Sequence, residues 1–180
     1  MLSPKSGRPG ELHVPKLRVT GRVLVWSSDK NTGNHSEMSK LHDVLQLRVR
    51  YSETDQMGTF YNSRALEWFE CGRTELTRRK LGLPYAVLEE KGVFLPLVEA
   101  HLEFQGGARY DDLLEIASTL EFSGRAKLRF DVQVAQHGTG KPVVRGYTVH
   151  AFADSAGRPI RPPEWFIELM QKASSQSQPQ

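Results

Sequence analysis

The sequence predicts an α+β fold in which a five-stranded antiparallel sheet lays one face on a single long helix. Three observations predict it. Residues 45–49, 98–104, 114–122 and 126–134 alternate apolar and polar side chains, the period of a strand with one buried face, and "VVRGYTVHAFA" reads as a further strand. Ala65, Trp68, Phe69, Gly72 and Leu76 recur at i, i+3, i+4, i+7 and i+11, the stripe of an amphipathic helix. The order is strand, long helix, then four strands read as a meander. One helix covers one face of such a sheet, which leaves the other for solvent or a second copy.

Taken in order, residues 1–40 hold "LSPKSGRPG" and "SSDKNTGNHSEMSK", with little to bury, and are expected to be a disordered extension. Leu17 to Trp26 between them suits a short strand with no obvious partner. Met38 is a candidate native start. In "VLQLRVRY", Leu45, Leu47 and Val49 face inward against Gln46, Arg48 and Arg50. The helix starts near Asn62 or Ser63, either of which is well placed to cap it, runs about 17 residues, carries a Glu75–Arg79 pair at i, i+4, and ends at Gly82. Pro84 opens a short second helix through Glu90, with Gly92 as its stop. Val98 to Phe104, Leu114 to Phe122, Ala126 to Val134 and Val143 to Ala153 are the remaining strands. "SGR" at Ser123 and "HGTGKP" at His137 are hairpin turns. The predicted domain is 41–172, with a disordered tail over 173–180.

Several function classes are disfavoured. The pI near 9.1 invites a nucleic-acid reading. However, residues 1–40 hold seven Lys/Arg against three Asp/Glu, so at a total of +3 the predicted domain is close to neutral. No nucleic-acid partner is expected. No segment approaches the ~20 apolar residues of a membrane span, and no apolar signal core is seen, so no membrane partner and a cytoplasmic location are expected. Cys71 is the only cysteine, too few for a disulfide or a multi-cysteine zinc site, and it falls mid-helix, where packing is the simpler role. The six histidines have no metal-ligand spacing, so no metal and no cofactor are expected. A nucleophile elbow, a phosphate-binding glycine loop and HExxH are all missing.

The stretch "YSETDQMGTFYN", Tyr51 to Asn62, remains. Asp55 and Gly58 are ordinary turn residues, and a plain connection accounts for them. The alternative is chemical. A carboxylate at Asp55 lies seven residues before the start of a long helix, whose first N–H groups are unbonded and whose dipole is positive there. That end stabilises negative charge growing on a substrate oxygen, and a nearby carboxylate delivers or activates water. Together they suit attack on an acyl carbonyl. Glu53 would raise the Asp55 pKa by like-charge repulsion if the fold brings the two close.

"YSETDQMGTFYNSRALEWFECGRTEL" resembles the signature of the 4-hydroxybenzoyl-CoA thioesterase family, Y-x-x-T-D-x-x-G-x-x-Y-H-x-x-Y followed by F-E-x-x-R. Tyr51, Thr54, Asp55, Gly58, Tyr61, Phe69, Glu70 and Arg73 match it. "RYDDLLEI" and "GRPIRPP" resemble later family features. The resemblance covers about residues 44–170. It implies a hotdog fold, an antiparallel five-stranded sheet wrapped around one long central helix, with subunits pairing edge to edge into homodimers or homotetramers. It implies an acyl-CoA thioesterase with Asp55 as nucleophile or general base. Gly58 would bend the loop, and the Asn62 backbone N–H would hold the thioester carbonyl. Tyr61, Arg125, Lys127 and Arg161 are the candidate contacts to substrate and coenzyme A. Glu70 and Arg73 read better as a structural pair.

Two positions depart from the signature. Asn62 stands for its His and Ala65 for its last Tyr. A backbone donor survives the first change. Asn at this position also resembles fatty-acyl thioesterases of the same fold, which points to an aliphatic acyl group. The alternatives are an acyl-carrier-protein thioesterase and a non-catalytic acyl-CoA-binding hotdog protein. A hotdog dehydratase would want a helix-borne acid paired with a His, and no such pair is visible.

Overall fold

Period-two patterning makes a sheet here because the apolar positions of neighbouring strands fall in register. The computed structural model describes residues 18–20, 23–25 and 40–176. In the unit Met1–Gly33, β1 (Arg18–Thr20) and β2 (Val23–Val25) pair antiparallel, Arg18 opposite Val25. One strand with no partner is predicted over this stretch. Its two halves pair with each other instead. The rest of the segment expected to be disordered before Lys40 lies outside the described residues.

The unit Asn34–Gln180 contains β3 (Leu41–Arg48), α1 (Asn62–Leu81), α2 (Tyr85–Glu90), β4 (Leu97–Phe104), β5 (Leu113–Phe122), β6 (Lys127–Gln136), β7 (Pro142–Ala151) and α3 (Glu164–Gln176). The five long strands form one antiparallel sheet in the order β3-β5-β6-β7-β4. The five-stranded antiparallel sheet is as predicted. The four-strand meander is not: β5, β6 and β7 follow one another, but β4 joins the far edge beside β7. Alternation assigns faces to strands and says nothing about neighbours.

Leu45, Ile116, Val134, Val144 and Phe104 line up across all five strands. Helix α1 lies chiefly against β3 and β5 and covers this row unevenly. Ile116, Val134 and Val144 are fully buried, while Phe104 on β4 is 49% exposed. The helical stripe is buried as predicted, from Ala65 and Trp68 to Leu76, each large side chain contributing about 1.5–3 kcal/mol. Gly72 sits where α1 presses on β5. A Cβ there would lie 2.5 Å from Ser118 Oγ and 2.7 Å from Ile116 Cγ2. Gly82 ends α1 in the left-handed region at φ 61°, as only glycine does without strain.

Helix α3 corrects the predicted tail, since it runs through Gln176. Phe166 and Met170 are buried, and Phe166 packs edge-on against Phe152 at 5.2 Å and Phe122 at 6.2 Å. Lys91 lies over the Trp165 ring at 5.2 Å. Residues 177–180 lie outside the described residues.

Candidate active site

The connection from β3 to α1 is a built loop. A single 3-10 turn, Tyr51–Glu53, follows the strand. The Glu53 side chain is buried, and its carboxylate accepts from the Arg50 backbone N–H (2.7 Å), the Arg50 guanidinium (3.0 Å) and the Trp68 indole N–H (3.2 Å). Burial pushes the Glu53 carboxyl up. The hydrogen bonds from Arg50 and Trp68 outweigh that and hold it below the usual carboxylate range. Glu53 therefore ties the loop to α1. Its carboxylate is engaged by Arg50 and Trp68.

Asp55 is half-buried. Its Oδ1 accepts from the Met57 N–H at 2.8 Å and the Thr59 N–H at 3.4 Å. Its own N–H donates to the Thr59 carbonyl at 2.8 Å, and the Gly58 N–H donates to its carbonyl at 3.0 Å. Gly58 has φ 73°, with nothing near the position a Cβ would take, so glycine is needed there for backbone conformation. The two carboxylate oxygens of Asp55 are thus differently placed. Oδ1 fastens the loop, and Oδ2 has no protein donor among the described residues.

Helix α1 begins at Asn62, and Tyr61 is its N-cap residue with no side-chain cap bond. The expected cap by Asn62 or Ser63 is therefore not made. The Tyr61 N–H donates to the Glu53 carbonyl at 2.9 Å and the Arg64 N–H to the Tyr61 carbonyl at 2.8 Å. Among the described residues, the Asn62 N–H has no acceptor. An uncapped helix start carries unsatisfied donors and positive potential, which is what an anionic oxygen requires.

Asp55, Gly58 and Tyr61 open onto a surface pocket of about 490 Å³, completed by Tyr51, Arg109 and Tyr110. Tyr51 and Tyr110 meet edge to face at 5.5 Å. Sequence reasoning did not place Arg109 and Tyr110 here. The "RYDDLLEI" segment that contains them was the available signal.

The predicted cations stand elsewhere. Arg125 and Lys127 flank the β5–β6 hairpin, at the end of β5 opposite Asp112. Arg161 joins them, because the Ile160 N–H donates to the Phe152 carbonyl and the Phe152 N–H to the Ala126 carbonyl. The Asp55 loop lies at the other end, where the Val49 N–H donates to the Asp112 carbonyl. At ~3.4 Å per residue, the ten residues of β5 span roughly 30 Å. The structure gathers the three cations but does not bring them to Asp55.

Other candidates read as structural. Burial pushes the half-buried Cys71 thiol up, away from thiolate. Glu70 and Arg73 form an ion pair at 3.7 Å. Among the described residues, no helix is long and apolar enough to cross a membrane, and no three His, Cys, Asp or Glu gather as a metal site.

A sheet laid on one long helix, with an acidic loop at the helix start, defines a hotdog protein. The family model described as the Thioesterase-like superfamily matches residues 49–170, more than half of the chain, and the chain belongs to that family. It is similar to a putative acyl-CoA thioesterase of Bacillus subtilis, 37% identical over 76 residues, which are 42% of this chain and about half (54%) of that relative's length. It is also similar to a putative esterase of Aquifex aeolicus, 28% identical over 127 residues, 71% of this chain and 96% of that one. A solved structure of a hypothetical protein from Thermus thermophilus is 31% identical, covers 78% of this chain and 100% of that chain, and superposes with a TM-score of 0.65.

Proposed function

We propose that the protein is an acyl-CoA thioesterase that hydrolyses an acyl thioester to a free acid and coenzyme A. The observation that carries this reading is one pocket lined both by Asp55 and by Tyr61, the residue at the uncapped start of α1. The thioester carbonyl oxygen accepts the Asn62 N–H, whose hydrogen bond strengthens as the oxygen becomes an oxyanion. Asp55 Oδ2 then acts in one of two ways. As a base it takes a proton from water, the hydroxide adds to the carbonyl carbon, and the proton passes to the departing thiolate. As a nucleophile it forms a mixed anhydride, which water then opens to release the acid. A thiolate leaves readily, so no separate strong acid is required, and neither route calls for a cofactor or metal.

The relatives' names favour coenzyme A as the carrier, and nothing favours acyl carrier protein. Arg125, Lys127 and Arg161, at the far end of the sheet, would reach coenzyme A at Asp55 only from a second copy, in keeping with a homodimer or homotetramer. An aliphatic acyl group and a cytoplasmic location complete the reading.

The test is hydrolysis of acyl-CoAs of graded chain length, followed by release of free thiol. Turnover with a chain-length optimum is expected. Binding of acyl-CoA without hydrolysis of any member would leave a non-catalytic acyl-CoA-binding protein and overturn the proposal.

A further inference from the structure

Arg109 is an exposed cation on the wall of the Asp55 pocket. Its own neighbours do not neutralise it. Asp111, two residues on, pairs with Arg48 (Nη1 to Oδ1, 3.3 Å), and the Arg48 guanidinium also donates to the Asp111 carbonyl at 2.7 Å. The Asp112 carboxylate turns back to accept the Arg109 backbone N–H at 2.8 Å. Among the described residues, Arg109 makes no ion pair with any carboxylate, Asp55 included.

The segment bearing Arg109 is held firmly. The Val49 N–H donates to the Asp112 carbonyl at 2.9 Å, the Asp111 N–H to the Val49 carbonyl at 3.0 Å, and the Asp112 N–H to the Arg109 carbonyl at 3.1 Å. Asp111 takes φ 71°, the only non-glycine residue with positive φ among the described residues. A left-handed conformation at a residue with a side chain is uncommon, and such residues cluster where a fold is constrained to present something. What this turn presents is Arg109 and Tyr110, the latter packed on Tyr51. A guanidinium offers a planar fork of donors that fits carboxylate and phosphate oxygens two at a time.

We infer that Arg109 is a substrate-recognition residue that binds an anionic oxyacid group of the thioester substrate from the wall of the Asp55 pocket. This rests on the thioesterase reading. Two parts of a substrate carry that chemistry, the phosphates of coenzyme A and a carboxylate at the far end of an acyl group. Since Arg109 does not touch the reacting bond in this role, its removal weakens binding and spares the chemical step.

Three thioesters separate the cases: a neutral acyl-CoA, the same acyl group on N-acetylcysteamine, which has no phosphate, and an ω-carboxyacyl N-acetylcysteamine thioester. Each is assayed with the wild-type protein, Arg109→Met and Arg109→Lys, with melting curves as a check that all three fold. A KM about tenfold higher in Arg109→Met for acyl-CoA alone, with kcat held within twofold and partial recovery in Arg109→Lys, supports the inference with phosphate as the group bound. The same rise confined to the ω-carboxyacyl thioester supports it with carboxylate as the group bound. Equal effects on all three thioesters, or none, overturn it. A wild-type protein that hydrolyses none of them refutes the thioesterase reading itself, a result distinct from the loss of selectivity in the variants.

Discussion

Glu53 and Asp55 are two carboxylates two residues apart with opposite duties. Glu53 is buried under three donors, and Asp55, a pocket-lining residue, has one oxygen without a protein donor among the described residues. Glu53→Ala strands the Trp68 indole and the Arg50 backbone N–H, and is expected to cost about 2–4 kcal/mol in a denaturant titration. An unchanged midpoint would show that the loop is not held this way. The folded Glu53 carboxyl lies below its unfolded value of about 4.3. Its contribution is therefore present above that pH and is lost as pH falls through the folded value. His150 acts in the same direction. It is 1% exposed, bonded to the Leu95 carbonyl at 2.9 Å and Thr148 Oγ1 at 3.2 Å. Burial pushes its pKa below the ordinary 6.5, so the unfolded chain binds the proton first. Stability is full above about pH 6.5 and declines below it, by at most ~1.4 kcal/mol per pH unit for one group. The melting temperature should fall between pH 7 and 5, and fall less in His150→Gln. Equal losses in both proteins would remove His150 from the account.

At the scale of elements, the contact between α1 and β5 is set by Gly72. Alanine is the better helix former by about 1 kcal/mol. Even so, Gly72→Ala should destabilise by about 1–3 kcal/mol, because its Cβ would press on Ser118 and Ile116. Gly72→Ala with Ser118→Gly should recover part of the loss. If the two changes are additive, the close approach is not the cause. This scale also shows what was legible in the sequence. The α1 stripe, Gly82 and the strand faces were, because burial imposes a period and a left-handed residue calls for glycine. Helix α3 was missed, although Trp165, Phe166, Leu169 and Met170 lie on helical spacing, because the Ser- and Gln-rich end of the chain masked them. The Asp55 loop was legible from its own letters. Its cap was not, since the helix starts one residue from where a capping side chain would sit. The distance from Asp55 to Arg125 and Lys127 depends on sheet register, which no local pattern reveals.

For the whole molecule, the open edge at β4 is the unfinished part. Leu97, Val98 and Phe104 are each about half exposed on a strand that, among the described residues of its unit, has a neighbour on one side only. An apolar edge of this kind invites pairing with another strand. A second copy would cover it and supply Arg125 and Lys127 to the first. Val98→Lys should shift the protein from dimer or larger to monomer in light scattering. A wild-type monomer at high concentration would refute the edge-pairing proposal.

The central claim is that Asp55 drives thioester hydrolysis from a loop it also helps to hold. Asp55→Asn keeps an oxygen to accept the Met57 N–H and removes the charge. With an acyl-CoA that the wild type turns over, the account predicts that kcat falls by two or more orders of magnitude, since losing an activating carboxylate costs ~10²–10⁴, while the melting temperature stays within a few degrees. Turnover within a few-fold of wild type in a folded Asp55→Asn protein would contradict it.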